Sequence, residues 1–342
     1  MRLCSLFYMF EKKQKSSLSD WQLHTASRNQ DLGLRTLFNQ VFGHSISLEE
    51  WEWKYLGTDL RGSLLTKASN GDAIAFFGGM PRIFSYQGGR FHAVQNGDVM
   101  VRMQERGVFS RKGALYQVAN HFFSQHVGEN EEYAFAFGFP NQRHFRLGLK
   151  LGLYSKAAQM HHMRWASQAA PWHRSWAIKP IGVHMPLHVL DILWLQMQDS
   201  WPGHFVPERT AKHWQWRYQQ RPGVEYQLLL VCQRLTHRPL AAVALRLHAQ
   251  HCDWLDYLGP REHLPQAIAA VRAFAHQQQR SVHALISDAV ASEFREAQPK
   301  SLDQSPSEIC VPTNAIDATG AVLPGKPWVG RLWLMGGDSD FM

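Results

Sequence analysis

Trp51-Glu52-Trp53-Lys54-Tyr55 recurs as Trp214-Gln215-Trp216-Arg217-Tyr218, with the same aromatic and basic spacing 163 residues further on. A five-residue match arises by chance or by duplication, because amphipathic helices often turn two tryptophans toward a core. The order after each copy favours duplication. Strand patterns at Leu64 to Ser69 and Ala73 to Ser85, joined by an Asn70-Gly71 turn, follow the first; Tyr226 to Gln233 and Leu240 to Leu247 follow the second. The second half continues with a strand at Cys252 to Leu258, a helix at Leu264 to Gln279 and a strand at Val282 to Ile286.

The expected fold class is therefore α/β (α+β), with two similar halves that each carry a mixed sheet flanked by helices. A chain of 342 residues, 45% hydrophobic, has core enough for two domains. Prolines 171, 180 and 186 and Gly182 mark a junction. The division expected is a tail over 1–20, a first domain over 21–168, a linker over 169–185 and a second domain over 186–342.

Within the first half, residues 101–113 form a basic, glycine-bearing loop. It joins an extended segment entered through Asn96-Gly97, read as turn chemistry, to a helix predicted over about 110–127. One reading is an ordinary turn at Gly107 with solvated arginines. The other is a phosphate cradle, since the first N–H groups of a helix lack intrahelical partners and carry about half a positive charge. Its components would be Val101, Met103, Gln104, Arg106, Gly107, Val108, Phe109, Ser110, Arg111, Lys112 and Gly113.

Gln104-Glu105-Arg106-Gly107-Val108-Phe109 resembles the acyl-CoA loop of GNAT N-acyltransferases, in which Arg or Gln is followed by two residues, Gly, one residue, and Gly or Ala. Gln104 and Gly107 match; Phe109 departs, where a small residue lets the backbone approach pyrophosphate. Gly107-Val108-Phe109-Ser110 is similar to the form in proteins with two linked GNAT-like domains associated with polysaccharide or cell-envelope biosynthesis. A second block, Tyr133 to Asn141, resembles the strand that splays from its neighbour and binds the pantetheine arm. The resemblance assigns that contact to Phe137, Gly138, Phe139 and Asn141, with Asn141 also able to cap the next helix. A plain buried strand stopped by Pro140 is the alternative.

Many GNAT enzymes place a tyrosine four residues before the glycine ending this helix, to protonate the leaving thiolate; here that position is Gly148. Tyr154 and His144 are the nearby substitutes. Asp98 either caps the Asn96-Gly97 turn or takes a proton from the amine. Glu105 and His92 are weaker candidates.

In the second half the matching segment, Asp256 to Glu262, carries Pro260 and two acidic residues, which argues against a second acyl-CoA site. No metal is expected, as His121, His126, His161 and His162 lack companion ligands at a persuasive spacing. The Asp338-Ser339-Asp340 tail resembles an Asp-x-Asp metal site but reads as a terminal turn. Cys4, Cys232, Cys252 and Cys310 are scattered and read as reduced thiols. The segment from Cys4 to Phe10 is too short to span a bilayer, so a cytoplasmic protein without stable membrane insertion is expected. A net charge of +8 favours anionic ligands without choosing among them; no nucleic-acid module is visible.

The resemblance implies an N-acyltransferase using acetyl-CoA or another acyl-CoA, with a small-molecule amine, possibly an amino sugar, as acceptor. Two alternatives stay open: a Fem-type transferase using aminoacyl-tRNA, and a catalytically silent binding or scaffold protein.

Overall fold

The computed structural model describes residues 20–107, 110–169, 175–182, 188–297, 302–321 and 325–342. The first half comprises β1 (Trp21–Ser27), α1 (Asp31–Phe42), α2 (Leu48–Lys54), β2 (Leu60–Lys67), β3 (Ala73–Tyr86), β4 (Gly89–Val101), α3 (Ala114–His126), β5 (Phe135–Gly138), α4 (Gln142–Lys150) and β6 (Tyr154–Trp165). The second comprises β7 (Trp176–Pro180), α5 (His188–Ser200), β8 (Val206–Pro207), α6 (Ala211–Trp214), β9 (Gln227–Gln233), β10 (Pro239–Leu247), β11 (His251–Leu258), α7 (Leu264–Gln277), β12 (Ser281–Ser287), α8 (Asp288–Ala297) and β13 (Leu302–Asn314).

Alternation along the strands makes a layered first half. Phe76 and Met80 of β3 pack with Leu34, Leu37 and Trp51 of α1 and α2, while Ala75 and Phe77 pack with Val118, Phe122 and Phe123 of α3. Successive side chains of a strand point to opposite faces, so β3 binds a helical layer on each side. In the second half, α5 and α7 join a single large core with β9 to β12.

The strands form one continuous sheet in the order β1-β2-β3-β4-β5-β13-β6-β12-β11-β10-β9-β7, with β8 paired to β3 off this path. The last strand of each half crosses over. β6 pairs with β12 of the second half, and β13 enters the first half beside β5. The two exchanged strands also pair with each other, from Leu302↔Trp165 to Asn314↔Tyr154.

The segment 169–185, expected as a linker, contains β7, which extends the sheet by pairing with β9 from Trp176↔Gln233 to Pro180↔Leu229. Pro171 and Pro186 lie outside the described residues. A proline closes a strand end at no ladder cost, and Pro180 does so here.

The two aromatic pentads meet. Trp53 Nε1 donates to the Trp216 carbonyl at 2.7 Å, and Trp216 Nε1 donates to the Trp53 carbonyl at 2.9 Å. Their rings stack with centroids 5.2 Å apart. This reciprocal contact relates the two tryptophans by a local pseudo-two-fold axis, although Gln215–Gln219 forms a π-helical turn where the first pentad is α-helical.

Candidate active site

The parallel pairs position the site. β4 and β5 pair only from Ala93↔Phe135 to Asn96↔Gly138 and then separate. Gly138 permits the last approach, because a Cβ there would stand 2.8 Å from the Asn96 carbonyl oxygen. Asn96-Gly97 is not a turn: it lies within β4, where Asp98 and Val99 oppose the single residue Phe77. Asp98 takes φ +48° there. Asn-Gly is turn chemistry in isolation, but here neither residue is left-handed; Asp98, a residue type that tolerates left-handed backbone, makes the bulge, which bends the strand.

The separation opens a cleft that brings together Asp98, Phe137, Gly138, Phe139, Asn141, His144 and Tyr154. Two walls come from distant sequence, Pro312 to Asn314 on β13 and Asp340 near the C-terminal end. Asn314 Oδ1 accepts the Ala136 N–H of β5 at 3.0 Å, satisfying the backbone where the ladder is sparse.

Asp98 is buried in an ion cluster. Lys54 Nζ lies 2.5 Å from Asp98 Oδ1 and 3.0 Å from Asp340 Oδ2, and the Tyr55 hydroxyl donates to Asp98 Oδ2 at 3.0 Å. Burial would lower the Lys54 pKa, but Asp98 and Asp340 together raise it, so the ammonium is secure. Burial and the charge of Asp340 raise Asp98 despite Lys54. Burial opposes ionisation of Asp340 too, yet Lys54, its hydrogen bonds and Arg82 hold it low. The cluster therefore carries one more carboxylate than ammonium, with Asp98 the more readily protonated oxygen pair. The repeated pentad is the sequence signal for Lys54 and Tyr55, and the Asp-x-Asp tail is the signal for Asp340.

On the opposite wall, Asn141 caps α4 by accepting the His144 N–H at 2.9 Å. His144 Nε2 sits 3.0 Å from the Tyr154 hydroxyl, with the two rings 10° from parallel. A Cβ on Gly148 would collide with the Tyr154 ring. Tyr154, reaching in from the start of β6, thus occupies the space beside Gly148. Burial raises the Tyr154 pKa and lowers that of His144 to about 4, so the pair is a phenol and a neutral imidazole at neutral pH.

The basic loop lies beyond the end of β4, outside the cleft lining. Met103 to Glu105 form a 3-10 turn, with Met103 fully on the surface. Val108 and Phe109 lie outside the described residues. Gly107 has φ +101°, and Arg106 Nε donates to the Val101 carbonyl at 2.8 Å. Gln104, Ser110, Arg111 and Lys112 are exposed. The helix begins at Ala114, four residues later than expected, with Gly113 as an N-cap that offers no side chain to its first N–H groups. Those donors and the flanking cations can hold a phosphate, at one end of a helix whose Phe123 lines the cleft.

The equivalent gap of the second half is filled. β11 and β12 pair from His251↔Ser281 to Trp254↔Ala284. Beyond this, Met335 bridges Ile286, and the Ser287 hydroxyl donates to the Leu332 carbonyl at 2.7 Å. Arg209, fully buried over Trp333, binds Asp256 at 2.6 Å and Asp338 at 2.8 Å. Tyr218 donates to Asp256 as Tyr55 does to Asp98. Asp338 and Asp340, read as a terminal turn, are thus counter-ions to Arg209 and Lys54.

A second cleft opens between the halves and shares Phe137 with the first. His92 lines it. Among the described residues, His248, His251 and Asp253 bring possible metal-ligand atoms within 4.8 Å of one another, away from both clefts. This group was not among the histidines considered from sequence. No described helix is long and apolar enough to cross a membrane.

No protein-family model matches the chain, and no curated protein matches it by sequence. Solved structures do match in fold. A conserved Enterococcus faecalis protein, "Probable N-Acyltransferase", shares 12% identity at a TM-score of 0.66, covering 86% of this chain and 72% of its own. A GCN5-related N-acetyltransferase from Anabaena variabilis shares 14% at 0.63, with the same coverage. Saccharomyces cerevisiae N-myristoyltransferase with bound myristoyl-CoA shares 9% at 0.53, covering 92% and 89%. The chain has the mixed-sheet fold of these GCN5-related proteins. At such identities the likeness establishes the fold alone.

Proposed function

We propose that the protein is an acyltransferase that moves an acyl group from acyl-CoA, with acetyl-CoA the expected donor, to a primary amine. The observation that carries this reading is the single cleft where β4 and β5 part, with carboxylates on one wall and a phenol on the other. The pyrophosphate would rest on the loop and first N–H groups of α3. The pantetheine arm would lie along Phe137 to Phe139, and the thioester would sit near Asp98 and Tyr154.

Holding amine and thioester together supplies roughly 7–11 kcal/mol, the largest contribution asked of the site. Attack by the neutral amine forms a tetrahedral intermediate whose nitrogen must lose a proton. Asp98, raised by burial, is the acceptor in reach of the cleft. Collapse expels the thiolate, and the Tyr154 hydroxyl gives it a proton; in the Nε2–H tautomer, His144 donates to the phenolate left behind.

The finer expectations belong to this reading. The halves derive from a tandem duplication divided near 169–185, the first binding acyl-CoA and the second shaping the acceptor site. An amino sugar of a polysaccharide pathway is the favoured acceptor on resemblance, and the cytoplasm, where acyl-CoA is made, is the expected location.

Calorimetry with acetyl-CoA followed by thiol release across an amine panel tests the proposal. Binding in the micromolar range with turnover on at least one amine is expected. Binding without turnover on any amine would leave a silent module, and saturable aminoacyl-tRNA binding without coenzyme A binding would replace the donor.

A further inference from the structure

The cleft between the halves contains a cation that makes no direct ion pair among the described residues, although Asp340 and Asp338 attract it at longer range. Arg82, on β3, projects there with its guanidinium 5.0 Å from the centre of the Trp216 ring. Its one hydrogen bond among the described residues is Nη1 to the Pro81 carbonyl at 2.7 Å, although the group offers five donors. The carboxylates that line this cleft are engaged elsewhere. Glu208 pairs with Arg90 at 2.9 Å, Asp338 with Arg209 at 2.8 Å, and Glu132 accepts the Tyr133 hydroxyl at 2.7 Å.

The contrast with the fully buried cations is direct, Arg82 itself being half-buried. Lys54 and Arg209 each hold two carboxylates, Arg61 holds Asp31, and Arg217 holds the carbonyls of Gly337 and Ser339. Burial, with Arg217 nearby, pushes Arg82 down to about 10 despite the opposing pull of Asp340 and Asp338, whereas the direct carboxylate partners of Lys54 and Arg209 raise them. A half-buried guanidinium with open donors is available to an anion in the cleft, and a planar carboxylate fits its fork.

We propose that this cleft is the acceptor site and that it selects amines carrying a carboxylate, which Arg82 binds while the amine points past Phe137 toward the first cleft. The inference rests on the acyl-transfer reading. A planar carboxylate fits the Arg82 fork; Glu208 and Asp338 on the same walls oppose a dianion while Lys212 and Arg217 favour it, so a phosphorylated amine is the deciding competitor. Trp216 offers an apolar face to the body of such a substrate.

The test compares matched amines, an amino-sugar acid or amino acid against its carboxamide and a phosphorylated counterpart, at saturating acetyl-CoA. The carboxylate form should lead its carboxamide by roughly 10- to 100-fold in kcat/KM, mostly through KM, as expected for a charged hydrogen-bond pair. Arg82→Gln should abolish that gap and Arg82→Lys retain part of it, both with unchanged coenzyme A affinity. No gap in the wild type, a gap that survives Arg82→Gln, or a phosphorylated amine in the lead would overturn the proposal. If no amine is turned over, the acyl-transfer reading fails separately. Calorimetry of the carboxylated amine then decides the anion site: heat lost in Arg82→Gln supports it, and no heat with the wild type rejects it.

Discussion

Gly148 and Tyr154 show how one missing side chain makes room for another. The ring lies where a Cβ on Gly148 would go, so Gly148→Ala should displace the phenol from His144 and slow thiol release about 100-fold, within the range for a lost general acid. Coenzyme A affinity should be kept; a wild-type rate would remove Tyr154 from the chemistry. His144 itself reports through pH. Its folded-state pKa of about 4 lies below the ordinary 6.5, so between these values the unfolded chain binds more protons and stability rises with pH. That contribution is full above pH 6.5 and lost as pH falls toward 4, about 2–3 kcal/mol after allowance for partial exposure. Urea unfolding of wild type and His144→Gln should diverge over this window, and parallel curves would refute the assignment. Single residues were legible where a local role existed, as for Asn141, a helix cap whose spacing is visible in sequence. Arg82 was not, because an unpaired cation is defined by neighbours absent from its own segment.

At the level of elements, α3 follows from hydrophobic spacing and starts four residues later than expected, whereas β4 ends where expected but begins at Gly89, well before the expected entry at Asn96-Gly97. The bulge did not follow, since Asn96-Gly97 in isolation says turn and only pairing with β3 makes it a strand. Gly107 belongs to this scale. Its surroundings are open, so a side chain would meet no atom; the obstacle is φ +101°, which L residues rarely adopt. Gly107→Val should therefore bend the loop and weaken coenzyme A binding about 10-fold, in line with strain of roughly 1–3 kcal/mol. Gly107→Asn, which tolerates left-handed backbone better, should lose less. Isothermal titration on folded variants measures both, and equal affinities would take the loop out of the site.

For the whole molecule, the exchange of β6 and β13 was the least legible feature. Strand identity is local, but the choice of partner is set by contacts across more than a hundred residues. The same exchange supplies Pro312 to Asn314 to the first cleft, which no reading of the first half alone could find. It also binds the halves into one folding unit: without β13, β5 loses its neighbour and exposes an edge. Residues 1–174 expressed alone should be unfolded or aggregated, and mixing with 175–342 should restore structure and coenzyme A binding. The intact chain should unfold in one calorimetric transition; two separate transitions would show independent halves. Last, Trp53 and Trp216, stacked at 5.2 Å on the local axis, are close enough for their excited states to mix. Such a pair produces a signed couplet in circular dichroism that vanishes when the rings part. The joint between the halves thus contributes its own label-free optical signal, read as the part of the couplet that Trp53→Phe removes, since the Trp165–Trp254 and Trp201–Trp333 pairs at 5.8 and 5.6 Å contribute as well.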